Sequence, residues 1–304
     1  MIFRKGRKRA QMPLTSMKEM LEDARRRGYA ACYGESWNLE SLQAVVEAAE
    51  EESSPIIAGF NGGFLLRSGQ TTMEKLGYYA ALRAALDRAK VPVAFLLNET
   101  DSLAQIEQGM ALGFGAVMVE NEFLAPEENQ RLVKQVVEMA HPRGVSVEAQ
   151  VGHLADASGG TEAKPTDPEA ARAFVNATHV DALGVAVGNI HTLTSGKRSL
   201  DLEALAKIQA AVEIPLVLHG GTGIPLELAL QCIQLGVAKV NFGTVLKQAY
   251  LAALGEKLGK YHEPMSPHPF LGMGGENDLL VAGREAVKAE VVKLLRAFRS
   301  AGKA

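Results

Sequence analysis

The chain has 304 residues, 47% of them hydrophobic and 22% charged, with a formal net charge of −3. That is ample for a buried core, and so near a balance of charge excludes a molecule-wide attraction to nucleic acid or to a membrane surface. The two cysteines, Cys32 and Cys232, lie far apart and form no CxxC pair, so neither a zinc knuckle nor a disulfide scaffold is indicated.

The chain opens on a basic run, Arg4-Lys5-Gly6-Arg7-Lys8-Arg9, read as a solvated tail over residues 1–12 because no aromatic or glycine-rich partner motif accompanies it. No apolar region follows it as in a secretory leader, and no segment approaches the roughly 20 apolar residues of a spanning helix. Both cysteines sit in apolar stretches and read as buried thiols, so a cytoplasmic protein is expected.

Short apolar runs then alternate with amphipathic stretches to the end of the chain, the pattern of parallel strands joined by crossover helices. Strands are expected near 29–33, 55–60, 91–97, 115–120, 144–150, 181–187, 214–219 and 237–242. Runs such as Val91-Pro-Val-Ala-Phe-Leu-Leu97 are hydrophobic throughout, as strands buried on both faces require. Leu39, Leu42, Val46 and Ala49 mark one face of a helix entered at Asn38, and Asp167-Pro168 opens another with proline at its first position. Eight such units, without a GxGxxG after the first strand, predict a (β/α)8 TIM barrel of class α/β rather than a dinucleotide-binding sheet. One domain is expected over 1–304, with an irregular loop at 262–283 and a closing helix at 284–300.

A barrel carries its active site at the C-terminal ends of its strands. Those ends offer Glu35, Asn61, Asn98 with Glu99, Glu120 with Glu122, Glu148 with Gln150, Gly188 with His191, then His219 and Asn241. Two histidines on adjacent strands beside carboxylates point to a metal, since two imidazoles, one carboxylate and an open position make a common catalytic zinc arrangement. Gly220-Gly221-Thr222 after the seventh strand and Gly243-Thr244 after the eighth sit where barrels bind phosphate, at glycine-rich turns before helices.

These residues carry a family likeness. Leu39-Glu-Ser-Leu-Gln43, Val145-Ser-Val-Glu-Ala149, Ile214-Pro-Leu-Val-Leu-His-Gly-Gly-Thr-Gly-Ile-Pro225 and Gly236-Val-Ala-Lys-Val-Asn241 resemble the class II fructose-bisphosphate and tagatose-bisphosphate aldolases. The resemblance spans nearly the whole chain. It implies zinc or another divalent metal polarising a ketose carbonyl, with His191 and His219 as two of three histidine ligands. Phosphate would fall to Gly188, Gly220, Gly221, Thr222 and Thr244, with Asn241 near the substrate. Homodimers or homotetramers are expected from the same likeness.

The first half departs from the pattern. The family's H-x-D-H reads Leu96-Leu97-Asn98-Glu99, so the catalytic aspartate is Asn98 and the third zinc histidine is Glu99. Glu35 replaces an asparagine, Asn61 a serine, Glu120 an aspartate and Gln150 the second glutamate of E-A-E, while Gly243 stands in N-x-[ND]-T. The lysine after the zinc histidine is Ser195, with Lys197 two residues on. A carboxylate can replace imidazole on zinc, but an amide cannot take a proton near neutral pH. The catalytic set is therefore Asn98, Glu35, Glu120 and Glu122, with a glutamate moving the proton. The metal ligands are His191, His219 and Glu99. Asn61, Glu148 and Gly243 join the substrate contacts. The expected activity is aldol cleavage of a ketose phosphate, a bisphosphate or a related sugar. An isomerase or epimerase using the same enediolate, and a non-catalytic sugar-phosphate-binding homologue, are the alternatives.

Overall fold

The computed structural model describes residues 14–66, 72–120, 124–156, 163–196 and 199–304. The basic tail, Glu122 and Lys197 lie outside the described residues. Eight parallel strands close into a barrel: β1 (Ala31–Ser36), β2 (Ile56–Asn61), β3 (Val93–Thr100), β4 (Ala116–Val119), β5 (Ser146–Val151), β7 (Ala182–Val185), β9 (Leu216–Leu218) and β10 (Val237–Phe242). Each pairs with its neighbours in sequence order, and β1 closes on β10 through Ala31 opposite Lys239 and Tyr33 opposite Asn241. The expected barrel is therefore found, with every predicted strand overlapping an observed one.

Two packed layers explain the apolar runs. Ala31, Tyr33, Ile57, Ala94, Leu96, Ala116, Met118, Ala182, Val217 and Ala238 point into the barrel, where they meet Met17, Met20 and Leu21 of the helix Met17–Arg27. That helix plugs the N-terminal end, so ligands enter only from the other. The opposite faces of the strands pack on the surrounding helices, which is why both strand faces are largely apolar. Asn38 caps the helix Leu39–Glu51, and Asp167 caps Pro168–Thr178 by accepting from Ala170 N–H. Leu39 itself is 38% exposed rather than on the buried face, because the first helical position precedes the contact with the sheet.

Two other expectations shift. The final helix runs Leu279–Ala297, starting earlier than 284, because Asp278 accepts the N–H of Leu280 and caps it. The irregular stretch correspondingly ends at Asp278. Two additional two-residue strands, β6 (Ala155–Asp156) and β8 (Ile190–His191), pair in parallel outside the barrel and join the loops after β5 and β7. Among the described residues no helix is long and apolar enough to cross a membrane.

Candidate active site

Each functional side chain stands at the open end of the barrel for a local reason. Asn61 ends β2 and Asn98 lies near the end of β3, directly paired with it. Beyond Leu97 the register of β3 against β4 shifts, and Glu99 takes a left-handed φ of 51°. Such an irregularity re-aims a side chain at a cost of roughly 1–3 kcal/mol, and is sustained only by what it gains. Here the gain is three contacts. Asn98 Nδ2 donates to Glu99 Oε1 at 2.8 Å, Asn61 Nδ2 donates to Oε2, and His219 Nδ1 lies 3.2 Å from Oε1.

His219 follows β9 and is almost wholly buried. Its Nε2 lies 2.9 Å from Glu148 Oε1, and Glu148 Oε2 lies 2.8 Å from the ammonium of Lys239. Glu148 and Lys239 are both fully buried, with the Lys239 ammonium 5.2 Å from the centre of the Tyr33 ring. Burial alone would raise the Glu148 pKa, but Lys239 and His219 outweigh it and hold it below the ordinary range. Burial would likewise lower His219, yet its bonds to Glu148 and Glu99 lift it to about 9. With Glu148 accepting from Nε2–H, a neutral His219 would present the lone pair of Nδ1 to a metal, the arrangement by which outer residues set a ligating histidine.

His191 is carried by β8, so its position depends on the short pair with β6. Asn189 ties the two histidine segments together: its Nδ2 donates to the carbonyl of His219 at 3.0 Å and its Oδ1 accepts from Val187 N–H at 2.9 Å. Gly220, at φ 65°, permits a further close approach, since a Cβ there would lie 2.0 Å from the Ile190 carbonyl oxygen. The outcome is a cluster in which one ligand atom each from Glu99, His191 and His219 all fall within 4.8 Å of one another. Two imidazoles and a carboxylate are the donors of a catalytic zinc site, and these fit a divalent ion.

The cluster opens into a cavity of about 310 Å³ whose walls include Glu35, Asn61, Glu99, Glu120, His191, Gly220, Thr222, Asn241, Gly243, Thr244 and Lys247. Glu35 is pushed up to about 7 by burial, against the pull of the nearby Lys247 ammonium and with a push from Glu99. Glu120 accepts from Gln150 Nε2 at 3.2 Å. The Asn241 amide nitrogen sits 3.2 Å from His219 Nδ1. Several expected contacts lie elsewhere. Glu148 is beneath His219 and out of reach of substrate, and Asn98 is fully buried behind Glu99. The Gly221 N–H is taken by the Asn241 carbonyl at 2.9 Å, and Gly188 packs near the Ser199 carbonyl instead of lining the cavity. Lys239, Asn189 and Lys247 were not anticipated: each reads as an ordinary polar residue until its partner, far off in sequence, is known.

The chain is similar to known proteins over nearly its full length. The family described as fructose-bisphosphate aldolase class-II matches residues 15–303. A fructose-bisphosphate aldolase of Geobacillus stearothermophilus is 36% identical, covering 96% of this chain and 99% of that protein. One from Staphylococcus aureus is 35% identical, covering 96% of this chain and all of its own length (100%). Among solved structures, the YdjI aldolase of Escherichia coli K12 superposes with a TM-score of 0.79 at 32% identity, covering 96% of this chain and 100% of that one.

Proposed function

Because the chain belongs to the class-II fructose-bisphosphate aldolase family of metal-dependent carbon–carbon lyases, we propose that it cleaves a ketose phosphate or related sugar in the cavity above Glu99, His191 and His219. The observation that carries this reading is the three-donor cluster, with Glu148 2.9 Å from Nε2 of His219. A divalent ion bound by those donors, zinc by their chemistry, supplies Lewis acidity towards the ketose carbonyl.

The chain's own residues do the rest. Asn61 and Asn98 orient both oxygens of Glu99, and Glu148 orients His219, so the donors meet a ligand without rearranging. Gly220, Thr222, Gly243 and Thr244 line the cavity beside the N-terminus of the helix Thr244–Leu258, where exposed N–H groups favour an anionic head group. A cavity carboxylate, Glu35 or Glu120, takes the proton of the hydroxyl on the scissile bond's far carbon, the one β to the ketone. The O–H pair becomes the new C=O, and the carbon–carbon pair stays with the fragment that keeps the ketone. The carboxylic acid then returns its proton to that carbon. Asn98 has no part in this transfer, because an amide cannot accept the proton.

Retro-aldol assays over a panel of ketoses and ketose phosphates test the reading, using chelated protein and protein reloaded with zinc. Cleavage only after reloading is expected. Metal-replete protein that cleaves none of the panel contradicts it. We also place the chain in a reducing cytoplasm, on its two buried free thiols, and as a homodimer or homotetramer, on the exposed side chains of Leu251, Leu258, Leu271 and Met273. A monomeric mass by light scattering at working concentration would contradict the assembly.

A further inference from the structure

Gly243 follows β10 and stands at the start of the helix Thr244–Leu258. The resembled family carries an asparagine or aspartate here. In this chain a Cβ at 243 would lie 2.2 Å from Glu35 Oε2, far inside van der Waals contact. The space a side chain would fill is occupied by a carboxylate delivered from β1. The other oxygen, Oε1, pairs with the ammonium of Lys247, one turn into the helix. That ammonium lies 4.3 Å from the centre of the Phe64 ring and 5.9 Å from that of Trp37, so the lysine is braced as well as paired. Glu35 is thus gripped between bare backbone on one side and a fixed cation on the other.

We propose that Gly243 and Lys247 are positioning residues that seat Glu35 as the acid/base group, so that proton transfer has moved from the end of β3 to the end of β1. This rests on the aldolase reading and narrows it, setting Glu35 ahead of Glu120. The charged groups facing Glu35 are Lys247 from the helix and Glu99 from β3, with the buried phenol of Tyr33 beside it on β1. β2 and β10 bring the neutral Asn61, Asn241 and Phe242 to the cavity, with Gly243 just beyond β10, while Lys239 of β10 faces Glu148 beneath. Burial pushes the carboxyl up and Lys247 pulls it down, leaving it at about 7. A group so poised can both take and return a proton near neutral pH. Without the cation it would hold its proton to higher pH and act as the base only there. With a side chain at 243 it would be turned out of the cavity.

Three variants test the seat: Gly243→Ala, Lys247→Met and the double variant Gly243→Ala with Glu35→Asp. Gly243→Ala is expected to lower kcat about 100-fold, as a misplaced catalytic group does, with bound metal unchanged. Shortening the carboxylate by one methylene in the double variant should recover at least about tenfold over Gly243→Ala alone, a non-additivity that a merely structural glycine does not produce. Lys247→Met should move the acidic limb of the kcat profile up by about one pH unit, while Lys247→Arg leaves it in place. A readout free of turnover is the titration of Glu35 followed by carbon-13 NMR of labelled side-chain carboxyls. Its midpoint should rise in Lys247→Met and fall towards the ordinary range in Gly243→Ala. If wild type cleaves no ketose, the aldolase reading fails while these midpoints still decide the seat. Unchanged midpoints in both variants, or strictly additive losses in the double variant, would overturn the proposal.

Discussion

The two halves of the barrel's open end solve one problem by different means. From β7 to β10 His191 and His219 match the resembled family's residues and are held by glycine turns and by Asn189, although Ser195 and Gly243 depart from its pattern. From β1 to β4 almost every matching position differs, yet the replacements meet one another. Asn61 and Asn98 both donate to Glu99, and Glu35 fills the space left at Gly243. A decaying site would scatter apolar or unpaired residues at these positions. Mutual contact among the changed residues supports the proposal that they form one working arrangement, in which a carboxylate stands where the family has an imidazole.

The comparison breaks most visibly at the shared histidine. His219→Ala should abolish both bound metal and cleavage, measured by elemental analysis and by assay; residual zinc at wild-type stoichiometry would show that the first half alone can hold it. Next in size is Lys239→Met beneath the site. Removing one partner of a buried pair leaves Glu148 with His219 alone, at a cost of up to roughly 3–5 kcal/mol. Urea denaturation of the metal-free protein reads this directly, and a loss below about 1 kcal/mol would mean that water reaches Glu148.

Asn98→Asp sharpens the contrast between the halves. It restores the family's residue but replaces the amide that donates to Glu99 with a second carboxylate. Metal affinity should fall about 10- to 100-fold, the usual size of an outer-sphere effect, with no gain in cleavage. Increased aldolase activity would show instead that the family's arrangement is only one substitution away. The smallest effect concerns Glu35. Its folded pKa, about 7, exceeds the ordinary value of 4.5, so the folded state binds more protons than the unfolded one between those values. Its contribution to stability is therefore complete below pH 4.5 and is lost as pH rises through 7. A single group limits the slope to about 1.4 kcal/mol per pH unit. Glu35→Gln should flatten that part of the stability curve, and an unchanged slope would place the proton elsewhere.

Much of this was legible in the sequence. The continuous apolar runs marked all eight barrel strands, because a strand buried on both faces leaves no polar alternation to mislead. His191 and His219 stood out because their glycine-rich settings are local. Glu99 was legible as a donor by residue type, but not the register shift and left-handed backbone that aim it. Lys239 lies in an apolar strand, and its meaning depends on Glu148, which precedes it by 91 positions across the barrel. Lys247 is equally silent without Glu35. The pair β6 with β8 is two residues long on each side, too short to leave a periodic trace. What escaped the sequence was pairing between distant segments, which a single chain does not write as a pattern.

Glu99, from the rebuilt half, is proposed to complete a metal site with His191 and His219, and zinc stoichiometry and affinity in wild type and Glu99→Ala decide whether it does. About one zinc per chain is expected in wild type, with affinity in the variant weakened by more than the roughly 10- to 100-fold of an outer-sphere change. Wild-type protein that takes up no divalent metal, or a variant that binds it as tightly as wild type, would contradict it.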